Sequence, residues 1–397
     1  MGPIRRSLFV KWKEWSTGSK SWQFGPLAPD EVLYEDMGPA IFTAKIGLQH
    51  LLFYKSAEHS DGDYLIAVET SPEALDALKA GRLSVRGALA QPKCWLLDVD
   101  LDLGVRRFEQ ASFSKVLRLV PGSGVPLHAR MKAAPDSVQQ ATSPLAFKFF
   151  GDELRDGLMP LDIFKNLVTN TYDVVRRLFV PPALSASKAG DLLAFPMRQP
   201  VLASLLIAID HPSIDVSRLR RRHSTKNLDP EQLEREAEEE GAKFVEGVER
   251  TVERAASGRA MKTFARDNFM ILDNIADIVP GERGDVSRLQ LSSYLAGQDV
   301  FLELDREVGE RIKHAYKIVR DDTVDIRGIV AGTINKSHLL ILRPDRGREI
   351  TCYIAPEVFD DLLERGEINS GRRLMLSGSF QKRARRDLMH VEDVTLL

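Results

Sequence analysis

A chain of 397 residues is too long for one ordinary hydrophobic core, which points to about two to four domains. With 43% apolar and 28% charged residues it has the balance of a folded globular protein, which excludes a disordered or fibrous chain. A formal net charge of -2 gives no global pull toward nucleic acid or an anionic membrane, so any such binding has to come from local patches.

The only cysteines, Cys94 and Cys352, cannot staple a chain of this length, and no CxxC pair offers a zinc site, so a reducing, cytoplasmic setting is expected. Arg5 and Arg6 near the start are not followed by the apolar core of a signal peptide. The most apolar stretch, 200–209, is about half the length that spans a bilayer. No membrane association is expected.

Residues 1–30 form an arm in which Lys11, Trp12, Lys13, Glu14 and Trp15, then Trp22 and Phe24, interleave basic and aromatic types. Such an arm either stacks on bases or docks its tryptophans on the next domain. From 31 the pattern turns strand-rich. Apolar runs at 40–46 and 50–55 flank Gly47 as a hairpin, Ser60-Asp61-Gly62-Asp63 is a turn, and 64–68 is the next strand. Ser71-Pro72-Glu73 supplies a cap, a first-turn proline and an acid for the helix dipole, and Gly81 ends that helix. Ser84 begins a second short turn that includes Ala88 and Leu89 and is stopped by Pro92, and 95–103 is a final strand.

The order of these segments, Tyr34 to Phe42, Asp61-Gly62-Asp63-Tyr64-Leu65, Ser71-Pro72-Glu73-Ala74-Leu75 and Leu83-Ser84-Val85-Arg86-Gly87-Ala88-Leu89, resembles the uncharacterised bacterial domain-of-unknown-function family 6575. The resemblance covers residues 31–110 and implies an α+β domain. It carries no assigned chemistry, so it transfers no functional residue.

Residues 121–140 read as a loop and 144–150 as a strand. The clearest helix spans 159–180, with Phe164, Leu167, Thr171, Val175 and Leu178 at helical spacing before Pro181 and Pro182. A buried strand follows at 201–209. Arg218, Arg220, Arg221 and Arg222 form a basic knot before a loop. Asp229 caps a long acid-rich helix whose narrow stripe suggests packing on one partner. One helix over 261–278, strands at 286–291 and 300–304, and a helix over 306–319 lead to the last module. Five strands with a helix after the third, over 321–397, predict a small OB-like barrel, with Gly328, Gly332 and Gly378 at its bends.

The expected fold class is therefore α+β and multi-domain: an arm (1–30), an α+β domain (31–113), an α+β middle domain with long helices (114–320) and a C-terminal small β-barrel (321–397). Three charged sets are candidate sites. Asp98, Asp100 and Asp102 alternate on one strand, where they either gather a metal ion for phosphoryl chemistry or solvate an edge strand. Lys382, Arg383, Arg385 and Arg386 crown the last barrel hairpin and suit phosphate or protein contacts, with Tyr353, Phe359 and Phe380 as the nearby aromatics. The knot at 218–222 admits the same readings, or pairs with the acidic helix at Glu231. The eight histidines form no metal-ligand motif, and Ser123 misses a nucleophile elbow. No cofactor is expected. These features favour an interaction or scaffold protein with a protein partner, in a bacterial multi-gene system such as phage defence, by analogy. A nucleic-acid-binding protein is the alternative, a metal-dependent nuclease the third reading, and a homo-oligomer stays open.

Overall fold

A computed structural model describes residues 22–154, 159–185, 192–198, 204–223, 225–259, 261–282, 284–345, 349–383 and 387–397. The chain divides into two compact units, Met1–Thr142 and Ser143–Leu397.

The first unit is a six-stranded antiparallel meander: β1 Glu31–Glu35, β2 Pro39–Ile46, β3 Gln49–His59 and β4 Gly62–Glu69, then α1 Pro72–Lys79 and α2 Val85–Leu89, then β5 Lys93–Asp100 and β6 Val105–Ser112. Two short helices follow, α3 Phe113–Val116 and α4 Val138–Thr142. The local signals act as expected. Gly47 takes φ +61° in the first hairpin. The Ser71 side chain accepts the N–H of Ala74 at 3.2 Å, and Gly81, at φ +75°, follows the end of α1. Where a short turn was expected after Ser84, its side chain accepts from Gly87 N–H at 2.9 Å and so caps a short helix, α2.

The strand expected over 95–103 is shorter, and a further strand follows it. The Asp100 carboxylate accepts the N–H of Asp102 at 3.0 Å and of Gly104 at 2.7 Å, which turns the chain back into β6. β5 is consequently paired on both sides, by β4 and β6, and is no edge strand.

The second unit opens with β7 Leu145–Phe150, α5 Leu161–Leu178, α6 Pro182–Ser185, β8 Leu193–Ala194, β9 Leu205–Ile209, β10 Ser213–Ile214 and α7 Val216–Arg221. It continues with α8 Pro230–Ala256, α9 Lys262–Asp267, α10 Phe269–Ile275, β11 Arg288–Ser293, β12 Val300–Asp305 and α11 Arg306–Arg320. A four-stranded antiparallel sheet runs in the order β12-β11-β7-β9.

One detail adds to the expectation and two differ from it. The knot at 218–222 begins inside the short helix α7, because Asp215 caps it by accepting Arg218 N–H at 3.0 Å. The helix expected over 261–278 is two helices, broken at Asn268 (φ -116°, ψ 25°). And α8 buries Gly241, Ala242, Phe244, Val245, Gly247, Val248, Thr251, Val252 and Ala255, far more than a narrow stripe. Small residues hide this face in the sequence. At Gly241 a Cβ would stand 2.2 Å from Cε1 of Phe179.

The last elements are β13 Val324–Ile334, β14 Leu339–Pro344, β15 Ile350–Tyr353, α12 Pro356–Glu364, β16 Arg373–Gln381 and β17 Asp387–Leu396. They close into a barrel in the order β13-β14-β15-β17-β16. Every pairing is antiparallel except β15 with β17, and α12 lies between the third and fourth strands, which is OB-type connectivity. Gly328 and Gly378 permit the tight closure: a Cβ would stand 2.2 Å from the Arg343 carbonyl oxygen in the first case and 2.0 Å from that of His390 in the second. Gly332 lies at a register shift between β13 and β14. A single buried cluster runs from Phe147 and Leu289 of the four-stranded sheet through Phe269 and Ile312 to Leu340, Cys352 and Leu376 of the barrel.

Candidate functional site

The three charged sets meet different fates. On β5, Asp98 lies 3.2 Å from Nε2 of His59, Asp100 closes the β5–β6 turn, and Asp102 is exposed in that turn. They do not converge on one point. Among the described residues no group of three or more His, Cys, Asp or Glu is arranged to hold a metal ion. Ser123 is also engaged: its hydroxyl donates to Asp136, which accepts Gly124 N–H as well and so orders the 121–137 loop.

In the knot at 218–222, Arg218 pairs back to Asp215 at 3.1 Å. The Arg218 N–H, followed by the Ser217 hydroxyl, holds the Asp215 carboxyl below the usual carboxylate range. Arg220 donates to the Leu228 carbonyl at 3.1 Å and so ties down the loop that leads into α8. Arg221 is exposed and Arg222 half-buried. The acidic helix spends two carboxylates elsewhere, Glu234 on Ile214 N–H and Glu238 on His211.

The hairpin tip between β16 and β17 is tied to the helices beneath it. Lys382 donates to the Asp273 carbonyl at 3.0 Å and to the Asp277 carboxylate at 3.2 Å, and lies 3.5 Å from the Asp273 carboxylate. That carboxylate, only 2% exposed, also accepts the Tyr316 hydroxyl at 2.8 Å. Burial, then the Asp273 charge, pushes the Tyr316 phenol well above its ordinary value. Phe380 packs edge-on to Phe269, whose ring stacks on Tyr316. Arg383 donates its backbone N–H to Asp387 and a side-chain N–H to Gln381. Arg385 and Arg386 lie outside the described residues.

Two of the expected aromatics are core residues: Phe359 and Phe380 are buried. Tyr353 is not; it is 40% exposed on the outer side of β15. Register builds a surface around it. Tyr353 pairs with Leu339 of β14 and His390 of β17, Thr351 pairs with Ile341 and Leu388, and alternation turns all six outward. The rings of Tyr353 and His390 are 5.8 Å apart. Arg343, at the far end of β14, is neutralised by Glu349 at 3.4 Å. The result is an uncharged apolar strip with two polar-tipped rings, open on the second and third barrel strands. OB barrels hold their ligands on that face.

Sequence pattern alone could not isolate this strip. In Leu339-Leu340-Ile341-Leu342 both faces are apolar, so only barrel closure shows which side is out. Both thiols are free and buried, and burial pushes Cys352 up to about 12 and Cys94 above its ordinary value. Among the described residues no helix is long and apolar enough to cross a membrane. No family model matches the chain, and neither the curated proteins nor the solved structures with which it was compared gave a match.

Proposed function

We propose that this chain is a non-enzymatic interaction protein and that the outer strip of its barrel holds a short segment of a partner protein. The observation that carries this reading is the open row Leu339, Ile341, Thr351, Tyr353, Leu388 and His390 on three adjacent strands. Its chemistry favours a protein: it is apolar, its one arginine is already paired, and Lys382 of the tip is committed within the chain. Its size favours a short segment. Three strands by about five residues give roughly 14 by 16 Å. That is well short of the ~800 Å² per partner that a standard interface buries. The engagement of Ser123 and Asp100 in holding their own loops supports a role other than catalysis.

A second reading, an unpaired nucleic-acid segment, is favoured by one observation, the adjacent rings of Tyr353 and His390, on which bases can stack. One experiment separates the two. A photo-crosslinking phenylalanine analogue is placed at position 341 or 353, with a control at the exposed Arg327 of β13, and irradiated in native cells. A single protein adduct at both strip positions and not at 327 is the expected result. A nuclease-sensitive adduct selects the second reading, and no adduct above the control defeats both.

A further inference from the structure

In the second unit, away from the strip, a cavity of about 350 Å³ opens between the end of α8, the start of α9 and α11. The backbone sets its place. Gly258 takes φ +66° directly after α8, so the chain turns sharply and residues 259–262 come to face α11. From α11, Arg311, His314, Ala315 and Ile318 line it at the spacing of one helix face. Ala315, 3% exposed, is the floor, and its methyl is too short to fill the space between the longer side chains around it.

We infer that this cavity binds a compact organic phosphate monoester, with the phosphate on Arg259, Lys262 and His314 and the carbon body on Met261, Ala315 and Ile318. The site is separate from the strip and does not rest on the strip's partner. Charge is the first argument. Among the described residues every charged side chain in the wall is a cation: Arg259, Lys262 and Arg311, with His314 beside them. Arg259 and His314 are exposed, and their side chains meet no hydrogen-bond or ion-pair partner among the described residues. Unlike Lys382 or Arg218, neither is answered from within the chain.

The other two cations are held without closing the site. Lys262 lies 3.3 Å from the Asp322 carboxylate, and Arg266 lies 3.4 Å from the same oxygen. The Lys262–Asp322 pair is 60% and 44% exposed, so it contributes little, and Arg266 keeps Asp322 when Lys262 turns to a ligand. Arg311 is the fixed part of the wall: it donates to the Ala255 carbonyl at 2.8 Å and pairs with Glu307. The first of these bonds covers a carbonyl at the C-terminal end of α8, where the helix dipole would otherwise repel an anion.

The donor set selects phosphate over carboxylate. Its three members come from two sides, the segment 259–262 and α11. A carboxylate offers its two oxygens in one plane, whereas a phosphate monoester offers three around a tetrahedron. The apolar wall selects an ester over the free ion. Ile318 is 38% exposed and Met261 half-buried, and a carbon body laid on them takes that surface out of water. The volume lies at the lower end of the ~300–1,000 Å³ range of small-molecule sites, which suits an ester with a single ring.

The test titrates phenyl phosphate into the full chain by calorimetry, in a phosphate-free buffer of low ionic strength. Saturable binding at one site is expected, with inorganic phosphate and benzoate each about tenfold weaker or more. Arg259→Ala removes an exposed side chain, so the melting temperature of the free chain should not change, while affinity for phenyl phosphate should fall about tenfold or more. Ile318→Ser should weaken phenyl phosphate and leave inorganic phosphate as it was. Absence of saturation by roughly 10 mM overturns the inference. So does inorganic phosphate or benzoate binding as tightly as phenyl phosphate, or an Arg259→Ala chain that binds like the parent.

Discussion

Two parts of the same barrel answer differently to the question of where a partner could bind. The β16–β17 tip is where the basic residues are, and its Lys382 is held by Asp273 and Asp277. The strip over β14, β15 and β17 has almost no charge and lies open. The first unit repeats half of the lesson, since the acidic run on β5 serves His59 and its own turn. Lys382, Asp98 and Asp100 are thus each engaged by the fold's own groups before any ligand arrives, as the cost of burying a charge requires. What stays free for a partner is surface that costs little to leave exposed.

The contrast depends on barrel closure, so the largest expected effect comes from breaking closure. Gly378→Ala puts a methyl 2.0 Å from the His390 carbonyl oxygen, a backbone atom that cannot swing aside. A loss of about 3 kcal/mol is expected, at the top of the overpacking range, measured by urea unfolding. A thiol reagent at pH 8 localises the damage. Both thiols should react slowly in the parent chain, because burial pushes Cys352 up to about 12 and raises Cys94. The variant should speed Cys352 and leave Cys94 slow. If Cys94 speeds equally, the effect is not confined to the barrel.

Next comes the tip. Lys382→Ala leaves the Asp273 carboxylate, 2% exposed, with the Tyr316 hydroxyl and without its cation. Lys382 is itself only 29% exposed, so solvent replaces it poorly, and a cost of about 2 kcal/mol is expected. Asp277→Ala, at the 61% exposed end of the same contact, should cost under about 1 kcal/mol. A free, partner-facing lysine would give the opposite result: no stability change on removal.

The β5 run ranks third. Asp100→Ala removes the acceptor of two backbone N–H groups in the β5–β6 turn and should cost about 1 kcal/mol. Millimolar magnesium should leave the melting temperature of the parent chain unchanged. A rise that Asp100→Ala abolishes would restore the metal reading.

How much of this was legible beforehand follows from which signals are local. Ser71-Pro72-Glu73, Gly47, Gly81 and the 3.6-residue spacing of α5 act within a few residues, and their elements stand where the sequence puts them. So did the barrel, because its five alternating runs and intervening helix are each locally coded. β6 was not legible: Arg106-Arg107-Phe108-Glu109-Gln110 is mostly polar, and its strand character comes from pairing with β5. The wide buried face of α8 was hidden because Gly241, Ala242 and Gly247 bury backbone against neighbours and carry no apolar pattern. The binding strip is the extreme case, since its members come from three strands and share a face only after parallel β17 docks on β15.

The smallest stability effect is the one on which the functional reading stands. Tyr353 is 40% exposed, and its ring rests on the outside of a barrel whose interior at this level is filled by Leu340, Cys352 and Met389. Truncating it removes no core contact, so Tyr353→Ala should change unfolding free energy by no more than about 0.5 kcal/mol. The same holds for Ile341→Ser, because Ile341 points outward between buried Leu340 and Leu342. Either change should nonetheless abolish the partner adduct formed from the other position of the strip, because a site of a few hundred square ångströms draws its affinity from one or two such anchors. If instead Tyr353→Ala costs 1.5 kcal/mol or more, the ring is holding the barrel together. The strip would then be a structural surface like the Lys382 tip, and the difference between the two parts of the barrel would disappear.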